Sequence, residues 1–176
     1  MKRQKAKYER PRRPWDKERL EYEKEVCKTY GIRRKKELWR AEEILRGFRR
    51  RARILEASKD MEGKKVLIDK LCKLGFIDKA ANLDDVLALS VENLLDRRIE
   101  TIIFKKGIAK TPKQARQFIV HGHVTVEGRR VRWPSLLLTT DQEPTVALHP
   151  KSKMLWEKQN AAKTETKPEV VNVEKA

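Results

Sequence analysis

Eight cationic side chains, Lys105, Lys106, Lys110, Lys113, Arg116, Arg129, Arg130 and Arg132, fall within 28 consecutive residues, among glycines and apolar positions. Ammonium and guanidinium groups at such density displace the counterions of a polyphosphate, and guanidinium can grip one phosphate through two parallel hydrogen bonds. A second basic set, Arg33, Arg34, Lys35, Lys36, Arg40, Arg46, Arg49, Arg50, Arg51 and Arg53, lies earlier in the chain. Residues 1–57 carry 21 basic and 10 acidic side chains, and residues 93–134 carry 10 and 3. The intervening 58–92 (6 and 7) and the closing 135–176 (6 and 6) are near neutral. The net charge of +17 is therefore concentrated in two blocks, as expected of a polyanion binder with two surfaces.

His121 and His123 are the other residues whose chemistry could matter, as metal ligands or general bases. Gly122 between them marks a junction, and no carboxylate or cysteine has the spacing to complete a site. They are read as junction residues that pack, hydrogen-bond or touch a polyanion, as Gln117 can. Trp39 and Trp133 could stack on bases, but large apolar indoles are expected as half-buried core groups. No Gly-rich phosphate loop, nucleophile elbow or carboxylate pair is present. No catalytic residue, metal or cofactor is expected.

The elements that must position the second block begin at Leu94. Leu94, Leu95, Ile99, Ile102 and Ile103 recur at helical spacing, and Gly107 follows Lys105 and Lys106 as a helix stop. Thr111 is an N-cap with Pro112 at the first helical position, and Gln114 can reach back to complete a capping box. The helix this opens has Ala115, Phe118 and Ile119 on one face, Lys113, Arg116 and Gln117 on another, and ends at Gly122. The period then falls to two in His123 to Val126; Glu127-Gly128 turns, and Arg129 to Arg132 runs back as a β-hairpin.

The run AKTPKQARQFIVHGHVTVEGRRV closely resembles the core of the RNA-binding domain named after small-subunit ribosomal protein S-four. That likeness implies a helix pair and hairpin of the αL-motif kind that binds RNA, in enzymes as well as ribosomal proteins. Upstream, PWDKERLEYEKEVCKTYGIRRKKELWRAEEILRGFRRRAR resembles the N-terminal helical segment of the archaeal and eukaryotic S-four ribosomal family, including Tyr30 to Arg33 and Glu37 to Arg40. The archaeal form is the nearer by length. The cysteine zinc cluster of some bacterial members has no counterpart, so no metal is carried over.

The expected architecture is α+β. A basic arm (1–14) precedes a helical N-terminal region (15–92), an S-four-like domain (93–150) and a flexible tail (151–176). Trp15, Asp16 and Leu20 fit a hydrophobic staple opening a helix that ends near Gly31. Leu38, Ala41, Leu45, Phe48, Ala52 and Leu55 stripe a helix from Lys35 to Ala57, whose length of about three heptads points to packing within its own domain over a coiled coil. Its arginine-rich faces form the first basic surface. Val66, Leu67, Leu71 and Leu74 mark a helix closed by Gly75, and Ser90 caps the helix leading to Leu94. Leu136 to Leu138 and Thr145 to Leu148 are candidate strands, and a short helix around Met154 to Ala162 is a weaker alternative to a disordered end.

No apolar run approaches the roughly 20 residues that cross a membrane, and the N-terminus lacks an apolar signal core, so a cytoplasmic protein is expected. Cys27 and Cys72, without CxxC spacing, are expected to stay reduced. The resemblance implies a structural constituent of the small ribosomal subunit that binds a folded rRNA junction, supports early assembly, lies near the mRNA path beside neighbouring ribosomal proteins and influences decoding accuracy. Self-association is not expected. A free RNA chaperone or translational regulator is the alternative. An RNA-modifying enzyme would need a catalytic domain that neither flank supplies. On this reading Lys113→Glu with Arg116→Glu should weaken RNA binding and leave the chain folded.

Overall fold

A computed structural model describes residues 6–58, 60–78 and 80–152. The chain runs through α1 (Lys17–Thr29), α2 (Lys35–Ser58), α3 (Met61–Lys73), α4 (Leu83–Ala88), α5 (Val91–Asp96), α6 (Ile99–Lys105), α7 (Pro112–Val120), β1 (Val124–Val126), β2 (Arg129–Val131) and β3 (Ala147–Leu148). The mixture is α+β, with the helices first and one small antiparallel sheet last. The suggested helix at Met154 to Ala162, the tail beyond residue 152 and the first five residues of the arm lie outside the described residues.

α2 is the spine of the N-terminal half. Leu38, Ala41, Leu45, Phe48 and Ala52 are buried along one stripe, against residues of α1, α3, α4 and α5 in a single cluster. Truncating a side chain such as Leu38, fully buried there, costs about 2–5 kcal/mol because the void is only partly refilled. α3 is fastened at its start by Asp60, whose carboxylate accepts from the backbone N–H groups of Glu62 and Gly63 at 3.1 and 3.2 Å.

A second cluster joins Ile99, Ile102 and Ile103 of α6 to Ala115 and Ile119 of α7, and to Val124, Val126 and Val131 of the hairpin. Thr111 caps α7 by accepting from the Gln114 N–H at 3.2 Å. The hairpin turns at Glu127 and Gly128, both at positive φ (51° and 76°), which suits the right-handed twist of its strands. Val124 pairs with Val131 and Val126 with Arg129, while β3 takes the other edge of β1, giving the order β2-β1-β3.

Several expectations change. The helical pattern through Leu94 and Ile103 is two helices, because Arg98 turns extended (φ −72°, ψ 141°) and bridges to Leu137. The Ile99 N–H donates to the Leu136 carbonyl at 2.9 Å and the Leu138 N–H to that of Arg97 at 3.1 Å, so a distant segment takes groups a continuous helix would use. Leu136 to Leu138 makes that single bridge and no strand. Gln114 reaches back past the cap to the Lys110 N–H at 2.8 Å. Asp16 occupies the N-cap position of α1, but Trp15 is 88% exposed, so the staple is not made. Val66 is also exposed, since α3 buries Leu67 and Leu71 instead.

Residues 6–14 of the arm do not stand apart. Tyr8 lies against Trp39, with ring centroids 5.9 Å apart, and Glu9 pairs with Arg46 at 2.5 Å. Arg19 Nη2 donates to the carbonyls of Arg13 and Pro14 at 2.9 and 3.0 Å. Among the described residues no helix is long and apolar enough to cross a membrane.

Candidate nucleic-acid interface

The cations of the two blocks divide into those held by the protein and those left to solvent. On α2 and the turn before it, Arg33, Arg34, Lys36, Arg40, Arg50 and Arg53 are exposed and have no carboxylate within 4 Å among the described residues. Those on α2 lie away from the buried stripe, which is why a helix can be both core and charged surface. Other members of the block are engaged. Arg49 donates to the Leu89 carbonyl at 2.5 Å, Arg51 sits 5.0 Å from the centroid of the Phe48 ring, and Arg46 pairs with Glu9 and Glu43.

Lys35 reaches Glu23 at 3.0 Å, in a knot at the base of α2. Glu23 is 1% exposed and also receives Arg19 and the indole N–H of Trp39, the latter at 3.0 Å. Burial opposes its charge, but hydrogen bonds from Trp39, Lys35 and Arg19 outweigh that and hold its pKa below the ordinary value. Trp39 is thus half-buried with its polar edge satisfied.

In the second block Lys110, Lys113, Arg129 and Arg132 are exposed and without an ion-pair partner among the described residues, as Gln117 is exposed beside them on α7. Arg132 runs past Gly122, where a Cβ would meet its Nε at 3.4 Å. Arg130 lies 2.9 Å from the His149 ring nitrogen, Lys105 pairs with Asp96 at 3.2 Å, and Lys106 donates to the Glu143 carbonyl. His121 and His123 stack at 6.0 Å with rings 11° from parallel, and His123 Nδ1 is 2.8 Å from the Ser152 hydroxyl. His123 is half-buried at the junction and His121 beside it is exposed. Among the described residues no group of three or more His, Cys, Asp or Glu could hold a metal, and both cysteines are free thiols.

Arg116 departs from its expected place on the outer face. Its guanidinium takes both oxygens of Glu37, at 2.7 and 3.1 Å, and reaches Glu100 at 3.4 Å. Arg98, 4% exposed, joins from the other side, 2.8 Å from Glu37 and 3.7 Å from Glu100. Burial opposes the Glu37 charge, but hydrogen bonds from Arg116 and then Arg98 prevail and lower its pKa, while Glu37 raises that of Arg116. Glu100 has less support. Burial lifts its pKa to about 7 against the pull of Arg98 and Arg116, and its Oε1 is buried without a hydrogen-bond partner.

This cluster joins α2 to α6 and α7, and so joins the two basic surfaces. Neither Glu37 nor Glu100 nor Arg98 stands out by composition. The one local signal is a carboxylate at Glu100 amid Ile99, Ile102 and Ile103, where a core helix would place an apolar or neutral group. Close approach reinforces the joint: a Cβ on Gly31, at φ +66°, would lie 2.8 Å from the Pro112 Cβ at the start of α7. Trp133 also differs from expectation. It is 70% exposed rather than half-buried, because the chain leaving β2 turns away from the core, with the Leu136 N–H on the Trp133 carbonyl.

Residues 97–143 match the family described as "S4 domain", a span from the α5–α6 break through the hairpin. The "Small ribosomal subunit protein uS4" of Korarchaeum cryptofilum is 46% identical over 153 residues, 85% of this chain and 92% of the relative. That of Thermoplasma volcanium is 45% identical over 152 residues, covering 83% and 76%. Identity at this level reaches well beyond the hairpin module into the helices that carry the first basic surface, and the chain belongs to the archaeal type of the small ribosomal subunit protein uS4 family.

Proposed function

We propose that this protein is a structural constituent of the small ribosomal subunit and acts by binding, without turnover. It clamps a folded junction of small-subunit rRNA between the α2 surface and the α7–hairpin surface. Phosphate spacing and A-form shape are read more than base edges. The working division is an arm (1–14), a helical region (15–92), the RNA-binding module (93–150) and a tail (151–176). The exposed cations Arg33, Arg34, Lys36, Arg40, Arg50, Arg53, Lys110, Lys113, Arg129 and Arg132 make the phosphate contacts, and Arg116 holds the two surfaces in register.

One observation carries this reading: Glu37, on the basic helix, is bonded to both Arg98 and Arg116 of the module, so the two charged surfaces are presented together. The names borne by the archaeal relatives support the same place of work, on the cytoplasmic small subunit and beside other ribosomal proteins. From that place follow a part in early assembly of the subunit body, a position near the mRNA path and an influence on decoding accuracy through a neighbouring protein. The chain works as a single copy.

Filter-binding titration tests it. The protein should prefer small-subunit rRNA to an unrelated structured RNA of equal length, with affinity falling steeply as salt rises. Equal affinity for the two would overturn the reading.

A further inference from the structure

Between the N-terminal half of α2 and the segment leaving the hairpin lies a cavity of about 170 Å³. Ala41 and Ile44 of α2, Leu94 of α5 and Leu137 give it apolar walls. Arg40 and Ser135 line it from opposite sides, both exposed and neither engaged in a side-chain hydrogen bond among the described residues. Arg98 also lines it. One of its terminal nitrogens is fixed by Glu37, yet its Nε is buried without an acceptor.

Glu37 also lines the cavity, its oxygens already taken by Arg98 and Arg116. Aliphatic walls with the free donors of Arg40 and Ser135 suit a planar heteroaromatic ring, whose faces want apolar contact and whose edges accept hydrogen bonds. The volume is below the roughly 300 Å³ at which drug-sized ligands begin, which limits the occupant to about one ring system. The segment forming one side is well anchored, by the Leu136 N–H on the Trp133 carbonyl at 3.2 Å and the Ile99 N–H on the Leu136 carbonyl at 2.9 Å. The cavity is lined jointly by α2, through Arg40, Ala41 and Ile44, and by the domain that follows, through Arg98, Ser135 and Leu137.

We propose that this cavity receives one unpaired base of the bound RNA, turned out of its stack, with Arg40 on the adjoining phosphate. The inference rests on the RNA-binding reading and adds a base-reading point to a surface that otherwise grips phosphates. A paired base in an A-form helix cannot enter, so the nucleotide is one at a bulge or a junction. An apolar side chain of a protein would fit the walls but would make no use of the Arg40 and Ser135 donors at the rim, which a base edge and its phosphate can engage.

The full-length protein and its Ser135→Trp variant, which fills the mouth from an exposed position, are titrated against a transcript of small-subunit rRNA and against a blunt RNA duplex. The variant should bind the rRNA about tenfold more weakly and the duplex equally well. Chemical probing of the rRNA bases, with dimethyl sulfate for adenine and cytosine and a carbodiimide for uracil and guanine, gives a second readout. Wild-type protein should protect an unpaired base that becomes reactive again with the variant. Unchanged rRNA affinity, an equal loss on the duplex, or absence of such a base would overturn the proposal, as would normal rRNA binding with lost incorporation into subunits, which would put a protein in the cavity. If wild-type protein shows no preference for rRNA, the RNA-binding reading falls as well; if that preference stands and Ser135→Trp is silent, only the base site falls.

Discussion

Glu37 and Arg116 stand 79 residues apart in the chain and are joined by two hydrogen bonds, Nη2 to Oε1 at 2.7 Å and Nη1 to Oε2 at 3.1 Å. The fork geometry makes this one of the stronger side-chain pairings available, and it is partly withdrawn from water. Removing one partner leaves the other with a charge it cannot hydrate fully. Glu37→Ala strands both Arg116 and the almost fully buried Arg98 with Glu100 alone. It should lower stability by about 3 kcal/mol in urea unfolding. A loss below about 1 kcal/mol would mean that this network does not fasten the module to α2.

Arg116 is therefore the wrong residue for probing the RNA surface by charge reversal. Arg116→Glu would set a third carboxylate against Glu37 and Glu100, so the expectation that it leaves the chain folded is withdrawn. Lys110 and Lys113 are exposed and unpaired among the described residues, and Lys110→Glu with Lys113→Glu should leave the thermal midpoint unchanged. The salt dependence of rRNA binding should flatten by about two phosphate contacts, and affinity should fall. Unaltered affinity would move the interface away from α7.

What could be read from the sequence was local. The α2 stripe, the Thr111 cap, the turn at Glu127 and Gly128 and the hairpin register all depend on residues a few positions apart, and periodicity or turn chemistry reports them. The break at Arg98 depends on Leu137, and the partner of Arg116 lies on another helix; nothing near either residue announces this. The same limit explains Val66 and Trp133. Each is apolar where an apolar residue would fit a core, yet whether the core reaches it is decided by the path of distant chain. Of the basic residues, position on a helix face was legible; occupation by an acid was not.

Gly31 tests the second fastening between the halves. Its φ of +66° is strained for any residue with a Cβ, and an added methyl would meet the Pro112 Cβ at 2.8 Å. Gly31→Ala should cost about 1 kcal/mol from the backbone alone, plus a further amount for the displaced start of α7. Chemical denaturation measures the loss. Hydrogen exchange should locate the disturbance at α7, and a change confined to the α1–α2 turn would show that the contact with Pro112 is not tight.

Glu100 gives the network a pH signature of opposite sign to that of Glu37. Its pKa is raised from 4.5 to about 7, chiefly by burial, so between those values the folded chain binds a proton that the unfolded chain releases. Stability from this group is full below pH 4.5 and is lost as pH rises through 7. The Glu37 pKa is lowered, so its contribution is present above 4.5 and is lost on acidification. Glu100→Gln keeps the shape and removes the titration. At pH 5 the variant and the wild type should melt together. At pH 8 the variant should be more stable by about 2 kcal/mol, a rise of about 4–8 °C in Tm for a chain of this size. A variant that is less stable than the wild type at pH 8 would show that attraction from Arg98 and Arg116 outweighs the burial of the Glu100 charge.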